Sequence, residues 1–100
     1  MEKRENFDHD TSAYTFEFEK KAESECMKLD STVRNNIKKY VKKISKVNPR
    51  KAGKQLLNAH LSGLWRYRVG DYRLIAEIDD KKLIVNIIRI EHRSEVYKNF

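Results

Sequence analysis

"LWRYRVGDYRLIAEIDDKKLIVNIIRI", residues 64–90, decides the reading of this chain. Trp65, Tyr67 and Val69 alternate with Arg66 and Arg68, and residues 72–78 and 83–90 are rich in β-branched and aromatic side chains. That is the period and composition of strands. Gly70-Asp71 is a two-residue hairpin signal, and the polar residues 79–82 form a second short link. Three strands (64–69, 72–78 and 83–90) joined so closely predict an antiparallel meander. The nearly continuous apolar run "LIVNIIRI" belongs inside the sheet rather than at its edge.

Upstream, the periodicity changes twice. Tyr14, Phe16 and Phe18 alternate with Thr15 and Glu17, which predicts a first strand. From Phe18 the apolar spacing becomes that of a helix face (Phe18, Ala22, Cys26, Leu29). Cys26 falls in that register and reads as a small core residue. A second helix begins after Asp30 or Ser31, either of which can cap its free amide hydrogens. Val33, Ile37, Tyr40, Val41, Ile44 and Val47 form its stripe, and Pro49 ends it, so it should span about residues 32–47. "KAGKQLLNAHLSG" (51–63) reads as a connector with one short helical turn. The expected architecture is therefore α+β in the order β-α-α-β-β-β. Two N-terminal helices cover one face of a small, mainly antiparallel four-stranded sheet, and the other face stays open.

One hundred residues suffice for one domain with a modest core. Residues 1–13 are polar and aperiodic, and are expected to be a flexible extension of a domain spanning 14–100. The formal charge is +7, and because the first thirteen residues carry two basic and four acidic side chains, residues 14–100 carry +9. Nucleic acid, an anionic membrane surface and an acidic protein all suit such a surface, and charge alone does not separate them. No apolar run approaches the roughly 20 residues of a transmembrane helix. With a single cysteine and no leader-like segment, the chain reads as cytoplasmic.

Arg66 and Arg68, two residues apart on a strand, point to one face, and Arg73 across the Gly70-Asp71 turn can join them. Packed guanidiniums oppose folding and are more easily understood if an anion completes them, and phosphate suits their fork geometry. The alternative is exposed surface arginines paired with Glu77 or Asp71. Directly after the third strand of the meander come His92, Arg93 and Tyr97, whose side chains are expected to reach the edge of the same patch. RNA can be cut without a metal when the neighbouring 2′-hydroxyl attacks: a base takes its proton, cations stabilise the phosphorane and an acid protonates the departing oxygen. His92, with an ordinary pKa near neutrality, and Tyr97 are the proton-handling candidates. The outer side of the second helix carries Lys38, Lys39, Lys42, Lys43 and Lys46, which either follow a phosphate backbone or form a solvated face. His9, His60 and His92 are scattered, and neither a metal-ligand spacing nor a glycine-rich phosphate loop occurs, so no metal or cofactor is expected.

"LDSTVRNNIKKYV" (29–41), "LSGLWRYRVGDYRLIAEIDDKKLIVNIIRI" (61–90) and "HRSEVY" (92–97) carry a resemblance, over about residues 14–100, to the RelE/ParE superfamily of bacterial toxin–antitoxin toxins, most of all its RelE branch. The resemblance implies a compact α+β fold and a ribosome-dependent messenger RNA endonuclease held inactive by a RelB-like antitoxin. It also implies that the toxin–antitoxin complex contacts operator DNA through the antitoxin. By position, Arg66 and Arg68 match a basic pair on the family's strand, Arg73 the arginine of its "YR" element, Tyr97 its terminal tyrosine, and Arg93 an arginine in the variable loop before "SEVY". Some relatives carry lysine at the Arg66 and Arg68 positions, where it can accept a proton as arginine cannot. Others place a carboxylate before the "LSG" turn, whereas residues 49–70 here contain no acid. His92 and Tyr97 remain as titratable candidates. Two rivals stay open: the ParE branch, which inhibits DNA gyrase by binding, and a non-catalytic basic nucleic-acid-binding module.

Overall fold

The structure, a computed structural model, describes residues 14–57 and 63–93. The expected N-terminal extension, the Ser62 side of the turn and Tyr97 lie outside the described residues. The elements run β1 (Thr15–Phe18), α1 (Lys20–Met27), α2 (Ser31–Ile44), α3 (Pro49–Ala52), β2 (Lys54–Gln55), β3 (Trp65–Val69), β4 (Tyr72–Asp79) and β5 (Ile84–His92). The meander forms as expected, and Gly70 takes a φ of 58° in the tight turn between β3 and β4, a conformation that glycine adopts without steric cost. The sheet has five strands rather than four, in the order β1-β5-β4-β3-β2. The additional strand is only two residues long and lies in the stretch expected to be a connector, too short to show a period of its own.

Each helix starts and stops for a local reason. The Asp30 carboxylate accepts the Thr32 N–H at 3.1 Å and caps α2. At the other end the Lys46 and Val47 N–H groups reach back only three residues, to the Lys43 and Ile44 carbonyls, tightening the last turn before Pro49. The regular helix therefore ends at Ile44, three residues short of the stripe in the sequence. Asn48 caps α3 by accepting the Arg50 N–H at 2.9 Å, with Pro49 in the first turn.

The core lies between the helices and one face of the sheet. Ala22 and Cys26 from α1 and Ile37, Val41 and Ile44 from α2 meet Tyr67, Leu74, Ala76, Val85, Ile87 and Ile90, all buried. Phe16 and Phe18 of β1, which runs parallel to β5, close one side. Tyr67 is the keystone of β3: fully buried, it meets Phe16 edge-on at 5.6 Å and donates its hydroxyl to the Pro49 carbonyl at 2.8 Å. Gly53 allows that approach, since a Cβ there would lie 2.8 Å from the Tyr67 ring and 2.9 Å from the Arg66 carbonyl oxygen. On the exposed side, Arg50 forks onto Asp80 at 3.0 and 2.9 Å and lies over the Trp65 ring, joining α3 to the β4–β5 link. Tyr67→Phe should keep the fold but strand the Pro49 carbonyl, and chemical denaturation should show a loss of about 1–2 kcal/mol.

Candidate nucleic-acid interface

Strand pairing fixes which side chains share the face left uncovered by the helices. Between β3 and β4, Arg66 is opposite Ile75 and Arg68 is opposite Arg73. Between β4 and β5, Ile75 is opposite Arg89 and Arg73 is opposite Glu91. On the far edge, Lys54 of β2 is opposite Arg66. Cross-strand partners point the same way, so two rows cross the open face: Lys54, Arg66, Ile75 and Arg89 in one, and Arg68, Arg73 and Glu91 in the next. The expected cluster of Arg66, Arg68 and Arg73 is assembled as the hairpin predicted.

The β5 half of the face depends on a bulge. Ala76 pairs with Ile87 while Ile75 pairs with Arg89, so Ile88 is an extra residue in β5. Val85 and Ile87 point to the core, and without the bulge Arg89 and Glu91 would follow them. The bulge instead turns Ile90 to the core and sends Arg89 and Glu91 to the open face.

The same shift places His92. It pairs with Tyr72 and meets that ring edge-on at 5.0 Å, on the face that carries Leu74 and the core. His92 is therefore not brought to the arginine cluster, contrary to the expectation that it would reach the edge of the patch. Arg93 stays at the correct end of the sheet: its N–H donates to the Asp71 carbonyl at 2.7 Å and its guanidinium lies 3.7 Å from the Asp71 carboxylate, beside the hairpin turn that follows Arg68. Lys38, Lys39, Lys42, Lys43 and Lys46 are all exposed, but they belong to the helix layer across the sheet. Lys38 and Lys42 line a groove with Phe16 and Phe18 instead of extending the arginine face.

The charged residues Lys54, Arg89 and Glu91 of these two rows were missing from the sequence reading. Glu91 is 2% exposed; one of its oxygens accepts from Arg73 Nε at 3.1 Å, and the other forms an ion pair with Arg89 Nη1 at 3.2 Å. A buried carboxylate is tolerable only when paired in this way. Arg66 has a different environment. Burial foremost, and then the charges of Arg68 and Arg73, all push its pKa below the usual guanidinium value. It stays protonated at neutral pH, so the cluster stores like-charge repulsion that a bound anion relieves.

The face so defined belongs to a small α+β protein that presents clustered guanidiniums to solvent on the uncovered side of a sheet. Comparison with known proteins makes the assignment specific. The family model for the ParE toxin of the type II toxin–antitoxin system parDE matches residues 16–97, and the chain belongs to that family of toxins, the RelE/ParE superfamily. It is similar to toxin RelG of Mycobacterium tuberculosis, 31% identical over 85 residues that span 85% of this chain and 97% of the relative. It is also similar to the mRNA interferase toxin RelE of Escherichia coli K12, 33% identical over 87 residues, 85% of this chain and 90% of the relative. Among solved structures, the RelBE2 toxin–antitoxin complex of M. tuberculosis superposes with a TM-score of 0.74 at 28% identity, covering 89% of this chain and 99% of that one. The isolated E. coli RelE toxin superposes with a TM-score of 0.66 at 30% identity, covering 87% and 94%. Among the described residues, no helix is long and apolar enough to cross a membrane.

Stored repulsion has a measurable sign. Arg66→Gln should leave the unfolding midpoint unchanged or raise stability by up to about 1 kcal/mol. The same change should weaken binding to a single-stranded RNA and lower the slope of log affinity against log salt by about 0.7, as one fewer phosphate is neutralised.

Proposed function

We propose that the chain cuts messenger RNA on the translating ribosome, in the cytoplasm, by attack of a ribose 2′-hydroxyl on the adjacent phosphate, and that a RelB-like antitoxin holds it inactive. The observation that carries this reading is the open sheet face, where Arg66, Arg68 and Arg73 cluster and both burial and like charge act on the Arg66 guanidinium. The activity named for the E. coli relative, mRNA interferase, supports it. So do the solved complexes of RelE-type toxins with their antitoxins.

In the proposed reaction the guanidiniums of Arg66, Arg68 and Arg73 surround the scissile phosphate, with Arg93 entering from the hairpin end. Negative charge grows on the non-bridging oxygens as the pentacoordinate phosphorane forms, and fixed cations are more favourable to that state than to the starting diester. The attacking 2′-oxygen loses a proton and the departing 5′-oxygen gains one, leaving a 2′,3′-cyclic phosphate and a 5′-hydroxyl. Arginine serves neither transfer, because it keeps its proton. The proton-handling groups in the proposal are His92 and Tyr97, joined by Lys54. Lys54 lies beside Arg66 on the arginine face and carries an amine that can exchange its proton, whereas His92 must approach from the opposite face at the end of β5. The lysines of α2 would meet ribosomal RNA on the other side of the molecule, away from the cut.

The matching family model, that of the ParE toxin, favours a second reading, inhibition of DNA gyrase by binding. One experiment separates the two. In a cell-free translation reaction with a reporter message, primer extension should show cuts within translated codons. These should weaken at least about a hundredfold in Arg73→Ala. Lys54→Ala, His92→Ala and Tyr97→Ala should identify the proton-handling group, because loss of that group removes one limb of the pH–rate profile. An intact message together with blocked supercoiling by gyrase would overturn the ribonuclease reading.

A further inference from the structure

Arg89 and Glu91 carry chemistry that the sequence did not assign. Glu91 lies near the C-terminal end of β5 on the open face, almost wholly buried, with one oxygen facing Arg73 Nε and the other facing Arg89 Nη1. Its effect is geometric. Arg73 has a side chain 13% exposed, and Arg89 one that is 42% exposed, so Glu91 ties a largely sunken guanidinium to one that faces solvent. Among the described residues Arg89 Nε is buried without a hydrogen-bond partner, and the ion pair through Nη1 ties the head of this side chain to Glu91.

The position of Arg89 suggests what it meets. Arg66 and Arg89 lie in the same cross-strand row but on β3 and β5, with β4 between them, which separates their backbones by roughly 10 Å. One phosphate group does not span that row, whereas consecutive phosphates of a single strand of RNA do. We propose that Arg89 binds the RNA phosphate next to the scissile one, and that Glu91 is the positioning residue that holds Arg73 and Arg89 in line for the two phosphates. This rests on the ribonuclease reading above for its substrate, but not for its geometry.

The two roles give opposite signatures. Glu91→Gln removes a negative charge from a basic face, so electrostatics alone predicts equal or tighter RNA binding. Loss of positioning predicts a fall in kcat of roughly ten- to a hundredfold, because a displacement of about 1 Å at the reacting phosphate is enough to do this. Glu91→Asp, which keeps the charge, should recover part of kcat. Arg89→Ala should instead raise KM about tenfold and lower the salt slope, with kcat little changed. A message carrying one neutral methylphosphonate beside the cut should raise KM for the intact protein but not further for Arg89→Ala.

The full-length chain would be assayed in cell-free translation. In parallel, the arginine Nε–H resonances would be followed by NMR as a 2′-O-methyl RNA, which cannot be cut, is titrated in. The RNA should shift the Arg73 and Arg89 signals together in the intact protein, and Glu91→Gln should uncouple them. Unchanged kcat in Glu91→Gln, or unchanged KM and salt slope in Arg89→Ala, would overturn the proposal. If Glu91→Gln does not fold, Arg89→Ala and the methylphosphonate decide alone. If the intact protein cuts no message, the ribonuclease reading fails, and the NMR titration still decides the placement: Arg73 and Arg89 signals that do not move with RNA would overturn it.

Discussion

A strand shows alternate residues to alternate faces, so a single extra residue re-sorts everything beyond it. In β5 that residue is Ile88. Before it, Val85 and Ile87 fill the core. After it, Ile90 takes over the core position while Arg89 and Glu91 turn to the open face and His92 turns away from it. Both the packed side and the charged side depend on this: a regular β5 would bury Arg89 and Glu91 under the helices and expose Ile90. The bulge lets one strand serve a hydrophobic layer along its whole length and still contribute an ion pair to the opposite surface.

The charge arrangement follows from that geometry. Glu91 neutralises part of the cluster where it is most buried, next to Arg73, while Arg66 keeps an environment of burial and like charge. Such a surface is costly to the unbound protein and becomes favourable when an anion arrives. The same imbalance suits any partner that supplies the missing negative charge. The helix layer carries its lysines on the other side of the chain, so the molecule is basic on two faces but concentrates arginine, the residue suited to phosphate, on only one.

Much of this was legible in the sequence. The meander, the first two helices, a cap at Asp30 or Ser31 and the common facing of Arg66, Arg68 and Arg73 all followed from local periodicity and turn chemistry. The bulge did not, because Ile87, Ile88 and Ile90 offer an apolar residue on either parity and nothing in "NIIRIEH" says where the register slips. His92 was misplaced for that reason, and Arg89 and Glu91 were overlooked as ordinary polar residues near a strand end. β2 escaped notice because two residues have no period, although its pairing brings Lys54 beside Arg66. The resemblance to known toxins supplied the class of activity, which neither charge nor strand pattern could.

The central claim is that the open face of β3, β4 and β5 holds the RNA phosphate at which the chain acts. The most direct measurement is a cryo-electron microscopy structure of the chain on a ribosome stalled with a 2′-O-methyl message in the decoding site. The account predicts the phosphate of the blocked linkage against Arg66, Arg68 and Arg73, with the helix layer turned away. A message phosphate seated on the α2 lysines, with the arginine face clear of the message, would contradict it.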